Sequence, residues 1–254
     1  MSDHRTILFG TIVIEPNRWA ADRVPTYRVS DWLERIRDAG FDGIELWENH
    51  AMMVPEEEAD ALRHSCLPVT VFNSYARLDD ADSERRQRIS ETVRELKAIG
   101  VKFNVGADGS RLEAELSNAQ SWQADMPEAR LLCECHSGTA IEDPETAARV
   151  LADRPEVGVI VHPFSVPDLE LWFRHLGDRI AHLHCQLGDE NGRLCRLRER
   201  PGFVRERLVM LDDLGFSGTS TVEFTAGVGT PPENQETLFE AAVDDLAFLR
   251  ENWA

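Results

Sequence analysis

The sequence predicts an α/β protein built as a single (β/α)8 (TIM) barrel spanning residues 1–254. Three observations carry that expectation. Strand-like and helix-like segments alternate along the whole chain, eight of each and none to spare. The chain has 254 residues, close to the roughly 250 usual for this barrel. Finally, four short apolar runs each end in a polar residue able to bind a metal, and strand C-terminal ends are where such a barrel opens its active site.

The elements follow in order. The apolar run 6–14 (TILFGTIVI) reads as the first strand, and 31–40 follows as a helix with Trp32, Leu33 and Ile36 on one face and Gly40 as its stop. Strands are expected at 43–47, 67–75 and 101–106, followed by helices at 55–65, 84–100 and 111–122. The run 131–136 (LLCECH) precedes a helix opened by Asp143-Pro144, a capping residue with proline at the first helical position. The runs 157–164 (VGVIVHPF) and 180–187 (IAHLHCQL) lead to helices at 167–177 and 201–215, and TSTVEF (219–224) leads to the last helix at 235–252. Short, nearly continuous apolar runs suit parallel strands buried on both faces. No glycine-rich phosphate loop follows the first strand, which removes the main dinucleotide-binding alternative.

Bulk composition narrows the partners. Asp and Glu number 46 against 27 Lys and Arg, for a formal charge of −19, and only Lys97 and Lys102 are lysines. Such a chain repels phosphate backbones and anionic lipid, so neither a nucleic-acid nor a membrane partner is expected. No stretch approaches the roughly 20 apolar residues of a membrane span, and the start has no basic-then-apolar signal pattern. Five cysteines (66, 133, 135, 185 and 195), odd in number and without zinc-finger spacing, suit reduced thiols and a cytoplasmic location. Cys133 and Cys135 should point away from the barrel interior if Glu134 points in.

The four runs with chemistry at their ends place Glu134, His162, His184 and Glu223 at successive strand termini. Two buried glutamates at neighbouring strand ends repel, and a divalent cation coordinated with two imidazoles removes the conflict. A salt-bridge network closing the barrel end, drawing arginine from the loop after the seventh strand, is the alternative. Side chains two apart share a face, which aligns Glu134 with His136, His182 with His184 and Gln186, and Thr221 with Glu223 and Thr225. Glu45 and His50, near the end of the second strand, are candidates for hydrogen-bonding a polyol, although Glu45 also suits a structural role in the barrel; His136 and Gln186 are further candidate substrate contacts. Arg193 and Arg196 are placed to grip a phosphate or carboxylate, or are simply solvated. Trp47 reads as packing, and His4, His64 and His175 as incidental.

The chain resembles the xylose isomerase-like TIM barrels grouped as sugar phosphate isomerases/epimerases, relatives of the endonuclease IV fold. The resemblance runs through GFDGIELW (40–47), the E-x-H-x-G-T of ECHSGT (134–139), H-L-H at 182–184 and TVEF (221–224). It implies that Glu134 and Glu223 bind a metal and serve as paired acid/base groups, and that His184 is the seventh-strand ligand. Two departures stand out. His162, before Pro163, occupies the place where the family usually carries aspartate, and Cys185-Gln186 replaces a common lysine-aspartate pair. With His162 as a ligand the site is less anionic, favouring zinc, manganese, cobalt or iron over magnesium. The expected activity is isomerisation or epimerisation of a small carbohydrate through an enediolate. A dehydratase of the dehydroshikimate or inosose type and a metal-free sugar-binding barrel stay open, as does a homo-oligomeric state.

Overall fold

Eight short parallel strands hydrogen-bond in chain order and close on themselves: β1 (Ile7–Gly10), β2 (Gly43–Trp47), β3 (Val69–Asn73), β4 (Gly100–Phe103), β5 (Arg130–Glu134), β6 (Gly158–Val161), β7 (Ile180–Cys185) and β8 (Thr219–Val222). Closure falls at β8, where Thr221 lies opposite His184 of β7 on one side and Leu8 of β1 on the other. The computed structural model describes residues 5–253, so His4 lies outside the described residues. Around the barrel run α1 (Leu33–Asp38), α2 (Asn49–Met52), α3 (Glu56–Arg63), α4 (Ser83–Leu96), α5 (Leu112–Ala124), α6 (Pro144–Leu151), α7 (Leu169–Leu176), α8 (Pro201–Asp213) and α9 (Gln235–Asn252). The Asp143-Pro144 signal is realised: Asp143 caps α6 by accepting from the Thr146 N–H at 2.9 Å.

Alternation along each strand produces two separate apolar layers. Leu8, Val71, Leu132 and Ile160 meet inside the barrel. Gly100 and Gly158 flank Leu132, where an added Cβ would sit 2.8 and 2.7 Å from its two methyl groups. Their bareness is therefore what lets a leucine fill the interior. The opposite strand faces pack against the helices, as where Phe9 meets Phe41 and Phe239 edge-on at 5.3 and 5.7 Å. Cys133, Cys135 and Cys185 belong to this outer layer, as their alternation with Glu134 and His184 requires, and all five cysteines are free.

Three segments differ from the sequence expectation. The first strand stops at Gly10, and Thr11–Ile14 form a 3-10 turn. That run is as buried as a strand, but its backbone serves other partners. The carbonyls of Ile12 and Val13 accept from the buried Arg18 guanidinium at 2.9 and 2.8 Å, and Thr11 Oγ1 accepts from Trp47 N at 2.9 Å. One-turn α2 follows β2 directly, where no helix was expected. The irregular stretch after β7 contains a small antiparallel pairing of Leu187–Gly188 with Leu194–Cys195, then a 3-10 turn at Leu197–Glu199. No helix among the described residues is long and apolar enough to cross a membrane.

Candidate metal centre

Glu134 ends β5, His184 lies one residue before the end of β7, and His162 and Glu223 directly follow β6 and β8. Each sits two residues beyond an inward-facing neighbour (Leu132, Ile160, His182 and Thr221), so strand alternation aims all four at the same space. All are buried, and one ligand atom from each lies within 4.8 Å of the others. Glu134 Oε1 is the common point: His162 Nε2 and His184 Nδ1 each lie 3.0 Å from it. His184 Nδ1 is also 3.1 Å from Glu223 Oε2.

These separations suit a metal. A tetrahedral zinc with bonds of about 2.0–2.1 Å has ligand–ligand edges of about 3.3 Å, near the 3.0–3.1 Å found here. The imidazole protons also fit. Glu45 approaches His184 Nε2 at 3.2 Å and holds a proton there, so a cation at the cluster has only to displace the Nδ1 proton that Glu134 and Glu223 otherwise hold. At His162 the tautomer depends on Gln186, whose amide nitrogen is 2.9 Å from Nδ1 and whose Oε1 is buried without a hydrogen-bond partner. Amide nitrogen toward Nδ1 keeps the proton on Nε2; amide oxygen there frees Nε2 for an ion.

Electrostatics explain how so much charge is tolerated. Burial opposes ionisation of Glu134, but the Lys102 ammonium, 2.9 Å from Oε2, and the two histidines hold its carboxyl well below the usual carboxylate range. Burial likewise opposes protonation of His184, yet Glu223, Glu45 and Glu134 together raise its pKa well above the ordinary imidazole value. Glu45 lies one layer deeper, kept ionised against burial by His184 and His182 and accepting from Asn73 Nδ2 at 2.6 Å. His182 is pushed the other way, its pKa lowered by burial despite Glu45. A cation at the upper cluster would relieve the crowding of carboxylates that His184 meets.

Over the cluster opens a cavity of about 570 Å³ lined by Glu134, His162 and Glu223 together with Lys102, His136 and Gln186. His136 stands at its rim, Nε2 3.2 Å from Asn104 Nδ2 and 4.0 Å from Glu134 Oε2. Three expected substrate contacts lie elsewhere. Glu45 is beneath the cluster, occupied by two histidines. His50 is fully buried behind β2, with Nδ1 3.0 Å from Thr11 Oγ1 and Nε2 3.1 Å from Glu15, so neither nitrogen is left for a ligand. Arg193 is on the exposed hairpin, paired with Asp189 at 2.9 Å, and does not line the cavity.

Lys102 and Asn104 were not anticipated. Lys102 projects from β4 to Glu134, and its Nζ lies 3.9 Å from the centre of the Tyr75 ring. Asn104 Nδ2 donates to the same Glu134 oxygen at 2.8 Å. The signal was present: in VKFNVG a lysine interrupts an apolar strand, and a buried lysine has to be paired.

A 3-keto-D-glucoside 4-epimerase from E. coli superposes with a TM-score of 0.67 at 17% identity, covering 98% of this chain and 100% of that one. A probable 3-DHS dehydratase from Bacillus anthracis gives 0.71 at 15%, covering 97% and 99%. The IOLI protein with a binding zinc atom gives 0.66 at 13%, covering 98% and 99%. At such identities the likeness is one of fold. No curated protein matches the chain in sequence. The family model described as xylose isomerase-like TIM barrel matches residues 33–252, and the chain belongs to that family.

Proposed function

We propose that this protein is a metal-dependent isomerase or epimerase of a small sugar, sugar phosphate or related polyol ketone, working through an enediolate. The observation that carries the reading is the convergence of two carboxylates and two imidazoles on one point at the open end of the barrel. A 3-keto-D-glucoside epimerase, a probable dehydratase and a zinc-bound protein among the structural neighbours support it. Glu134, His162, His184 and Glu223 would hold a divalent transition metal, which supplies Lewis-acid stabilisation of the negative charge developing on the substrate's carbonyl oxygen. Five free cysteines, four of them buried, suit a reducing cytoplasm.

The protein's own groups divide the remaining work. Glu134 is pinned through Oε2 by Lys102 and Asn104, which fixes its position and lowers its basicity. Glu223 makes one close ion pair, with His184, and borders the cavity from β8, three strands round from Glu134. Glu223 therefore removes the carbon-bound proton. Glu134 and the Lys102 ammonium bound to its Oε2 form the partner on the opposite wall: the ammonium supplies the proton that this pair returns for epimerisation, and it is reprotonated from cavity water as Glu223 releases the proton it took. His136 and Gln186, at the cavity wall, orient hydroxyls.

Protein purified without chelator should carry about one transition-metal ion per chain by elemental analysis. Glu223→Gln and His184→Ala should both reduce that content, and unchanged content in both would remove the centre. Carbohydrates incubated in D2O should take up deuterium at a carbon beside the carbonyl with the natural protein and not with Glu223→Gln. Appearance of an ultraviolet-absorbing enone instead would assign a dehydratase.

A further inference from the structure

Beyond the strand ends the cavity is walled by loop residues of two kinds. On one side Trp19 and Phe224 set their rings 5.8 Å apart at a tilt of 49°. Trp19 is 59% exposed, an open indole face beside a cavity. Its support is built rather than loose. Adjacent Arg18 is fully buried, with its guanidinium 5.1 Å from the indole centre and bound to the carbonyls of Ile12 and Val13 and to Glu233 at 2.6 Å. An aromatic face held open in this way offers apolar area to the C–H face of a sugar ring.

The second kind is acidic. Glu142, Asp143 and Asp168 border the cavity, and among the described residues that line it Lys102 is the one lysine or arginine. That ammonium is already neutralised by Glu134 and covered by Tyr75. The helix starts at α6 and α7 hold no free anion site either. Asp143 accepts from Thr146 N and Asp168 from Leu171 N, each at 2.9 Å, and Glu142 takes the Gly138 N–H at 2.9 Å. Of the arginines after β7, Arg193 pairs with Asp189 at 2.9 Å and Arg198 with Asp244 at 2.6 Å, Arg200 lies over the Phe203 ring, and none lines the cavity. A phosphate in the outer cavity would meet three carboxylates and, among the described residues that line it, no unpaired lysine or arginine, whereas neutral hydroxyls would find acceptors there.

From this we infer that the substrate is an uncharged saccharide of more than one ring, with its reacting sugar at the donor cluster and its outer ring on Trp19. This rests on the carbohydrate reading of the site and narrows it. The cavity of about 570 Å³ falls within the roughly 300–1,000 Å³ of small-molecule sites, more than one hexose ring needs.

The test is binding by calorimetry and indole fluorescence to the zinc-supplemented protein. The probes are matched sets: a free hexose, its 6-phosphate and neutral disaccharides containing it. The disaccharide should bind most tightly and quench the fluorescence, and the phosphate least tightly. Trp19→Ala should weaken the best disaccharide about tenfold and the free hexose less than about twofold. Trp19→Phe should restore most of that loss, and unchanged melting temperatures would show that both variants are folded. Tightest binding by a phosphate, or a Trp19→Ala loss equal for one ring and two, overturns the inference while leaving the carbohydrate reading standing. If no saccharide of any class binds to protein that binds zinc, the carbohydrate reading falls and the inference falls with it.

Discussion

Glu134 divides its two oxygens between two tasks, Oε1 to the histidines of the metal centre and Oε2 to Lys102 and Asn104. Two predictions belong at this scale. Lys102→Met keeps the side-chain bulk and leaves a buried carboxylate without its strongest partner, which should cost about 3–5 kcal/mol at neutral pH. The sign follows from the lowered pKa of Glu134. Stability gained from a lowered carboxylate is complete above its ordinary range of about 4.5 and lost as pH falls below it, so the variant should be penalised more at pH 7 than at pH 3. Urea unfolding at the two pH values checks this; an equal penalty at both would count against the pair. His162→Asp exchanges a borderline nitrogen donor for a hard, anionic oxygen. Titration with zinc, manganese and magnesium should show the variant moving toward manganese and magnesium. An unchanged profile would take His162 out of the centre and leave three ligands.

At the scale of elements, the strands that carry the metal candidates were legible because each joins a period of two to a lone polar residue closing an apolar run. Depth was not legible. Glu45 and Glu134 look alike as inward glutamates near strand ends, yet one lies beneath the other, because inter-strand stagger decides the layer. Register shifts at Ile44/Glu45 and at Val159/Ile160 set that stagger, and no local pattern encodes them. The run Thr11–Ile14 was misread for a related reason: apolar content reports burial and not backbone hydrogen bonding, and the decisive partner, Arg18, lies beyond the run. Trp19 ends a one-turn 3-10 helix (Pro16–Trp19), too short to show a period. A further prediction concerns α9, whose buried Asp245 accepts from Leu197 N at 2.7 Å and Thr225 Oγ1 at 2.6 Å, tying the helix to the segments after β7 and β8. Burial pushes its carboxyl up to about 7. A folded-state value above the unfolded one means the native protein holds the proton longer, so this group lowers stability as pH rises from about 4 to 7, with no further change above. Asp245→Asn should flatten that part of the stability–pH curve, measured by melting temperature across pH 4–8. A curve with the same slope as the natural protein would show that Asp245 does not titrate there.

For the whole molecule, charge decides which partners can approach. The balance of −19 is joined by a local arrangement that leaves few basic groups free. Arg63 is shared among Glu56, Asp60 and Glu95, Arg35 pairs with Glu236, and Arg250 with Asp42. Within this fold a nuclease would need a basic groove to neutralise phosphates and release their counterions, and affinity for duplex DNA scales with the number of such contacts. The open end of the barrel provides the reverse, with Glu142, Asp143 and Asp168 at the cavity and Lys102 already paired. At about 0.15 M salt the screening length is roughly 8 Å, short enough to mute distant charges but not the acids at the cavity itself. The protein should therefore give no retained band with a duplex oligonucleotide in a gel-shift assay at that salt, with or without added zinc. Lowering the salt should not produce one, because it lengthens the reach of the repulsion as well as of any attraction. A shifted band at physiological salt that survives excess nonspecific competitor would mean that a patch of the surface escapes the overall field and binds nucleic acid.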